Sequence, residues 1–232
     1  MQPNAQKSKS TFTNLDDSDL DSKLKDLKTG DIILFTGKDF WFSKLIRWYT
    51  GTPWTHVGVV LRDPTYIDPK LTGLYLWESG LESFVDSENG IRKLGIQISD
   101  LKKALEDPSH GKAVYRKLNS EIHNLDDKLK IIHEGVHNKP YDTSLLDFLQ
   151  TSLDIEFTQP YGNNLLHLYQ RNYRKTDTFY CSAFLAYLFT ELSLLPKDTK
   201  WSICEPAYFS ETNKKFILEN GHMGPEITLI TH

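Results

Sequence analysis

Residues 179–192 read FYCSAFLAYLFTEL. Only Ser182, Thr190 and Glu191 interrupt the apolar run, so the stretch reads as the most apolar helix of the chain, packed on all sides. It begins beside a cysteine, Cys181, with Thr176, Asp177 and Thr178 placed just before it to cap the first turn. A thiol in the first turn of a helix meets the positive end of the dipole and N–H groups without intrahelical partners. That setting favours the thiolate a nucleophile needs. The plainer reading is that Cys181 is a small buried residue, as free cysteines often are.

Outward from this helix, the apolar runs are short and do not alternate as a doubly wound parallel sheet requires. Asp31–Thr36 (DIILFT), His56–Leu61 (HVGVVL), Leu74–Trp77 (LYLW), Ile91–Ile98, Ala113–Leu118 and Glu226–Thr231 read as strands. Phe40–Tyr49 reads as an amphipathic helix stopped by Thr50-Gly51-Thr52-Pro53. Ser99-Asp100 caps a short helix that ends near Asp107-Pro108. Leu125–Val136 is helical up to Asn138-Lys139-Pro140, and Pro206–Thr212 is a further short helix. The fold class is therefore α+β.

The chain has 232 residues, 39% of them hydrophobic, enough for one domain with a sizeable core. Residues 1–20 are expected to be a poorly ordered tail and 21–232 a single domain. A net charge of -4 gives no basic field for nucleic acid. No apolar run approaches the ~20 residues of a membrane span. The start of the chain lacks the apolar region of a secretory signal, and only two cysteines occur, Cys181 and Cys204. These features predict a cytoplasmic protein with free thiols.

Residues 133–137, HEGVH, carry the letters of the zinc-protease helix. His133 and His137 lie four apart on one face, and Glu134 stands where a general base would. A catalytic zinc also needs a third protein ligand; a downstream glutamate such as Glu156 could serve, but without supporting context. Pro140 ends the helix where a zinc-protease helix continues, and Gly135 weakens it by ~1 kcal/mol. The favoured reading is a pair of helix-surface histidines and no metal or other cofactor. A zinc hydrolase stands as the third hypothesis.

Two residues give Cys181 partners. His56 opens the strand HVGVVL after a turn, where its ring can enter a cleft. Glu78 follows LYLW at the end of the next strand, where a carboxylate orients an imidazole. Each also has a plain reading, as a satisfied half-buried histidine and a solvated strand end.

The strings LKTGDIILFTG, WTHVGVVL, LYLWESG, NKPYD and FYCSAFLAYLF, in that order over residues 28–212, resemble the permuted NlpC/P60 papain-like superfamily. Within it they resemble the YiiX-like branch, which includes poxvirus members and is related to lecithin:retinol acyltransferase-like proteins. The resemblance implies a circularly permuted papain-like fold, an antiparallel sheet or small barrel packed on the Cys-bearing helix. It implies Cys181 as nucleophile, His56 as base, Glu78 orienting it, and Tyr141 of Pro140-Tyr141-Asp142 helping the oxyanion site. Trp54, Ser182 and Pro206 are expected on the substrate side. The implied chemistry is cysteine hydrolase or acyltransferase action on a peptide amide or lipid ester, through a thioester and without cofactor. The segment WFSKLIRWYTGTPW, with three tryptophans and two basic residues, is read first as packing its apolar face on the sheet, with peripheral membrane contact as the alternative. The alternative function is a non-catalytic lipid- or peptide-binding module on the same scaffold.

Overall fold

The structure is a computed structural model that describes residues 17–37, 47, 51–80, 84–142, 173–213 and 216–231. Its helices are α1 (Asp17–Asp26), α2 (Leu101–Glu106), α3 (Leu125–Val136) and α4 (Cys181–Glu191). Its strands are β1 (Ile32–Gly37), β2 (His56–Arg62), β3 (Leu74–Gly80), β4 (Gly95–Asp100), β5 (His110–Arg116), β6 (Leu118–Asn119), β7 (His222–Met223) and β8 (Ile227–Thr231). Six strands form one antiparallel sheet in the order β4-β3-β2-β1-β5-β8, and β6 pairs with β7. The fold is α+β, as the scattered strand and helix patterns predict. Of the two expected forms, the described residues make the open sheet rather than the small barrel, with β4 and β8 at its ends.

β1 is apolar at successive positions because it is covered on both faces. Ile32 and Leu34 join Val57, Val59, Leu61, Trp77, Ile96 and Ile98 beneath α3 and α4. Ile33 and Phe35 alternate to the other face and join Val60, Leu76, Leu101, Leu105 and Tyr115. α4 has no polar stripe because it lies within the first layer: Phe184, Leu185, Leu188 and Phe189 are all fully buried. Each such side chain contributes about 1.5–3 kcal/mol of burial.

α1 corrects the expected boundary of the tail, since a helix occupies residues 17–26. Leu20, Leu24 and Leu27 line its inner side against the second cluster. Its C-terminal carbonyls, which have no intrahelical donors, are met by Arg62 of β2. That guanidinium donates from Nε to Leu27 O at 2.7 Å and from Nη2 to Leu24 O and Lys25 O at 2.9 Å. Asp31 ties the start of β1 down, accepting from Lys28 N at 2.8 Å and Leu118 N at 2.9 Å.

The expected strand at 91–98 begins later, at Gly95, and that at 113–118 begins earlier, at His110. α2 is capped as expected, with the Asp100 carboxylate accepting from Lys103 N at 3.0 Å. The helix expected at Pro206–Thr212 is a 3-10 turn over Pro206–Phe209. The helix expected at 40–49 lies outside the described residues except for Arg47, which donates to Gly37 O at 3.0 Å. No helix among the described residues is long and apolar enough to cross a membrane.

Candidate active site

Antiparallel pairing brings the start of β2 and the end of β3 to the same end of the sheet, and His56 and Glu78 with them. Along β2, Val57, Val59 and Leu61 face the first cluster; along β3 and β4, Trp77, Ile96 and Ile98 do. The period of two therefore turns His56, Glu78 and Gln97 together to the opposite face. His56 Nε2 meets Glu78 Oε2 in a short ion-paired hydrogen bond. The second carboxylate oxygen, Oε1, accepts from Gln97 Nε2 at 3.1 Å. Gly58 lies between them in the pleat, where a Cβ would fall 2.7 Å from Leu76 Cδ1 and 3.2 Å from Glu78 Cβ.

Cys181 is the first residue of α4, the position expected for it. Its first turn is not capped by Thr176, Asp177 or Thr178. The N-cap is Tyr180, without a side-chain cap bond, and Thr178 Oγ1 donates to Asp142 Oδ2 at 3.0 Å instead. The helix start is fixed from outside. Ser79 Oγ donates to Phe179 O at 2.6 Å, and Ser182 Oγ donates to Cys204 O at 2.7 Å.

Residues 140–142 run beside this start. Phe179 N donates to Pro140 O at 3.1 Å, Asp142 N to Phe179 O at 3.0 Å, and Tyr141 N to Leu94 O at 3.2 Å. The segment is also pressed against β4, where Gly95 has φ +137 and a Cβ would lie 2.9 Å from Pro140 Cα. Only glycine accommodates that backbone without strain.

These contacts bring Cys181, His56, Glu78 and Tyr141 into one cluster. Cys181 lies close enough to His56 to bear on the titration of its ring. Burial alone would push the imidazolium pKa down. The Glu78 carboxylate, followed by Cys181, outweighs it, and His56 is raised to about 10. Burial likewise works against the Glu78 carboxylate, but the charge and hydrogen bond of His56 hold its pKa below the usual value. Burial first, and then the neighbouring Cys181, Asp142 and Glu78, keep the Tyr141 phenol well above its ordinary range. Tyr141 therefore stays a hydrogen-bond donor.

The second cysteine is different. Cys204 is buried, with Sγ 3.5 Å from Lys200 O, and burial followed by the nearby Glu205 carboxylate drives its pKa up. It remains a neutral thiol. Both cysteines are free.

The three residues expected on the substrate side are all buried. Trp54 is packed into the first core cluster, with Lys112 Nζ 5.8 Å from its ring centre. Ser182 is fully buried and spent on Cys204 O. Pro206 is buried at the head of its 3-10 turn.

The sequence reading missed Gln97, Ser79 and His110. His110, at the start of β5, is stacked near His56 with ring centroids 6.4 Å apart. It donates from Nδ1 to Ala104 O at 3.1 Å. Burial, and then the positive charge of His56, lower its pKa. Period-two alternation from Ile96 and Ile98 is enough to place Gln97 on the Glu78 face; nothing local marks Ser79 or His110.

The reading of HEGVH as a pair of helix-surface histidines needs correction at His133. His133 is 8% exposed. Both histidines of α3 turn to Glu88, in the connection between β3 and β4. His133 Nε2 is 3.0 Å and His137 Nδ1 3.4 Å from Glu88 Oε2. The third ligand type is thus supplied by Glu88, and Glu156 lies outside the described residues. Glu134 is exposed, away from the buried edge. The zinc-protease arrangement, with that glutamate working on a metal-bound water, is not formed.

No protein-family model matches the chain. No curated protein matches it either. Among solved structures it is similar to the crystal structure of the metalloprotein YiiX from Escherichia coli O157:H7. The identity is 17%, over 88% of this chain and 97% of that one, with a TM-score of 0.45. What this chain does is therefore read from its own side chains.

Proposed function

We propose that the chain is a cysteine hydrolase or acyltransferase of the permuted papain-like type, working through a thioester on Cys181. What supports this reading is His56 paired with the Glu78 carboxylate while close enough to Cys181 for that residue to help raise its pKa. The mechanism starts from a thiolate–imidazolium pair, and a histidine whose pKa is raised to about 10 is protonated at neutral pH, as that starting point requires.

In the first half-reaction the Cys181 sulfur forms a bond to the acyl carbon, and the carbonyl π pair moves to oxygen. The backbone N–H at the start of α4 and the Tyr141 hydroxyl are the donors for that oxyanion, worth about 3 kcal/mol each where such donors have been measured. As the carbonyl re-forms, the carbon–nitrogen or carbon–oxygen bond breaks, and His56 gives its proton to the departing amine or alcohol. In the second half-reaction neutral His56 takes a proton from water or another acceptor. That nucleophile adds to the thioester, and the thiolate leaves with the imidazolium restored. Glu78, itself held by Gln97, fixes the ring and offsets its charge throughout.

Peptide amides and lipid esters both suit this chemistry. The burial of Trp54 weakens the case for lipid or membrane contact through that residue. The free thiols support a reducing, cytoplasmic setting. The test is turnover of a panel of peptide amides and phospholipid esters by the wild-type chain and by His56→Ala. One class should turn over, with kcat/KM in His56→Ala lower by about 10³-fold or more. Tight binding of a lipid or peptide without any turnover would favour the binding module instead.

A further inference from the structure

α3 buries Leu129, Ile132, His133 and Val136, so its inner face continues through His137, one turn beyond His133. Opposite that face, Asp86 shapes the connection between β3 and β4. Its Oδ1 accepts from Ile98 N at 3.2 Å and Glu88 N at 3.3 Å. This presents Glu88 to the histidine pair. One ligand atom from each of Glu88, His133 and His137 lies within 4.8 Å of the others.

A single carboxylate oxygen therefore faces two imidazole nitrogens, at 3.0 and 3.4 Å. A hydrogen bond with His133 explains the first distance. The second is long for a hydrogen bond, but it matches the edge of a tetrahedron. Bonds of about 2.0–2.1 Å to zinc set neighbouring ligand atoms about 3.3 Å apart. Lys93, the nearby cation, is engaged by Asp86 Oδ2 and by Asn138 Oδ1 at 2.9 Å. The Trp77 ring packs 5.9 Å from that of His133 on the inner side, giving the cluster a dry wall. His137 is 35% exposed at its side chain on the outer side, leaving an entry path and room for water.

We propose that Glu88, His133 and His137 form a zinc site, separate from Cys181, that clamps the β3–β4 connection onto α3. Two imidazoles and one carboxylate suit zinc; magnesium and calcium prefer all-oxygen shells. Water completes the fourth position. With Glu134 turned away, the site holds structure together: β3 carries Glu78, and α3 runs directly into Pro140 and Tyr141.

The experiment strips the full chain with chelator and adds zinc, measuring bound metal after equilibrium dialysis. A Cys181→Ala background removes the thiol that lies near a histidine among the described residues. One zinc per chain is expected in that background, with a higher melting temperature. Adding His137→Ala or Glu88→Gln should weaken binding tenfold or more and abolish the rise. The cobalt(II) spectrum of the unsubstituted chain gives a second readout, independent of how any variant folds. Visible ligand-field bands without a thiolate charge-transfer band are expected. Absence of stoichiometric zinc at tens of micromolar overturns the site. So does zinc that survives both substitutions, that disappears with Cys181→Ala alone, or cobalt that shows thiolate bonding.

Discussion

His56 is paired with the Glu78 carboxylate and lies near Cys181, and both raise its pKa, to about 10. Because Glu78 is the largest influence raising it, Glu78→Gln should move the alkaline limb of the kcat/KM profile to lower pH. The same change should reduce kcat/KM about 10²–10⁴-fold, since an amide neither offsets the imidazolium nor fixes its tautomer. A profile with its alkaline limb unmoved would mean that another group sets it. Tyr141 is argued to donate to developing charge, so Tyr141→Phe should lower kcat about 10–10³-fold with little change in melting temperature. An equal loss of stability would make its hydroxyl a packing element.

At the scale of elements, the site depends on a backbone segment pressed between β4 and the start of α4. Gly95→Ala adds a methyl group where φ is +137 and Pro140 Cα would be 2.9 Å away. It should cost about 2–4 kcal/mol in urea unfolding and lower kcat as Tyr141 is displaced. A loss under about 1 kcal/mol would show that residues 139–141 do not need this close approach. Elements with strong local patterns were legible in the chain itself: α3 matches its expected ends, and α4 differs only at its edges. DIILFT was legible because a strand buried on both faces is apolar at every step. α1 was hidden because DSDLDSKLKD is so highly charged that its Leu20, Leu24, Leu27 stripe is easily passed over. Motif order names Cys181, His56 and Glu78 as candidates, whereas the burial of Ser182 and Trp54 was not legible in the chain. Whether such residues face a cleft or a carbonyl is decided by chain about 20 residues away or more. Glu88 was out of reach for the same reason, being brought to His133 across 45 positions.

For the whole molecule, the His56–Glu78 pair sets a pH window of stability. His56 binds its proton more tightly in the folded state, so its contribution is complete below its usual 6.5 and is lost as pH rises toward about 10. Glu78 has the opposite sign. Its contribution is present above its usual 4.5 and fades as pH falls through its lowered pKa. Unfolding free energy should therefore be broad and maximal between about 4.5 and 6.5 from this pair, and Glu78→Gln should flatten the alkaline slope. A slope unchanged by Glu78→Gln would contradict the linkage. The two core layers supply most of the stability on which this rests. Phe184→Ala, at the centre of the first, should cost about 3–5 kcal/mol by chemical denaturation.

The claim beneath all of this is that Cys181, activated by His56, takes up an acyl group. The most direct measurement is peptide-mapping mass spectrometry after brief exposure to an activated acyl ester near neutral pH. The account predicts one acyl group per chain, on the peptide containing Cys181, with Cys204 unmodified and the adduct suppressed in His56→Ala. Equal modification of both cysteines, or an adduct on Cys181 that forms as readily without His56, would contradict it.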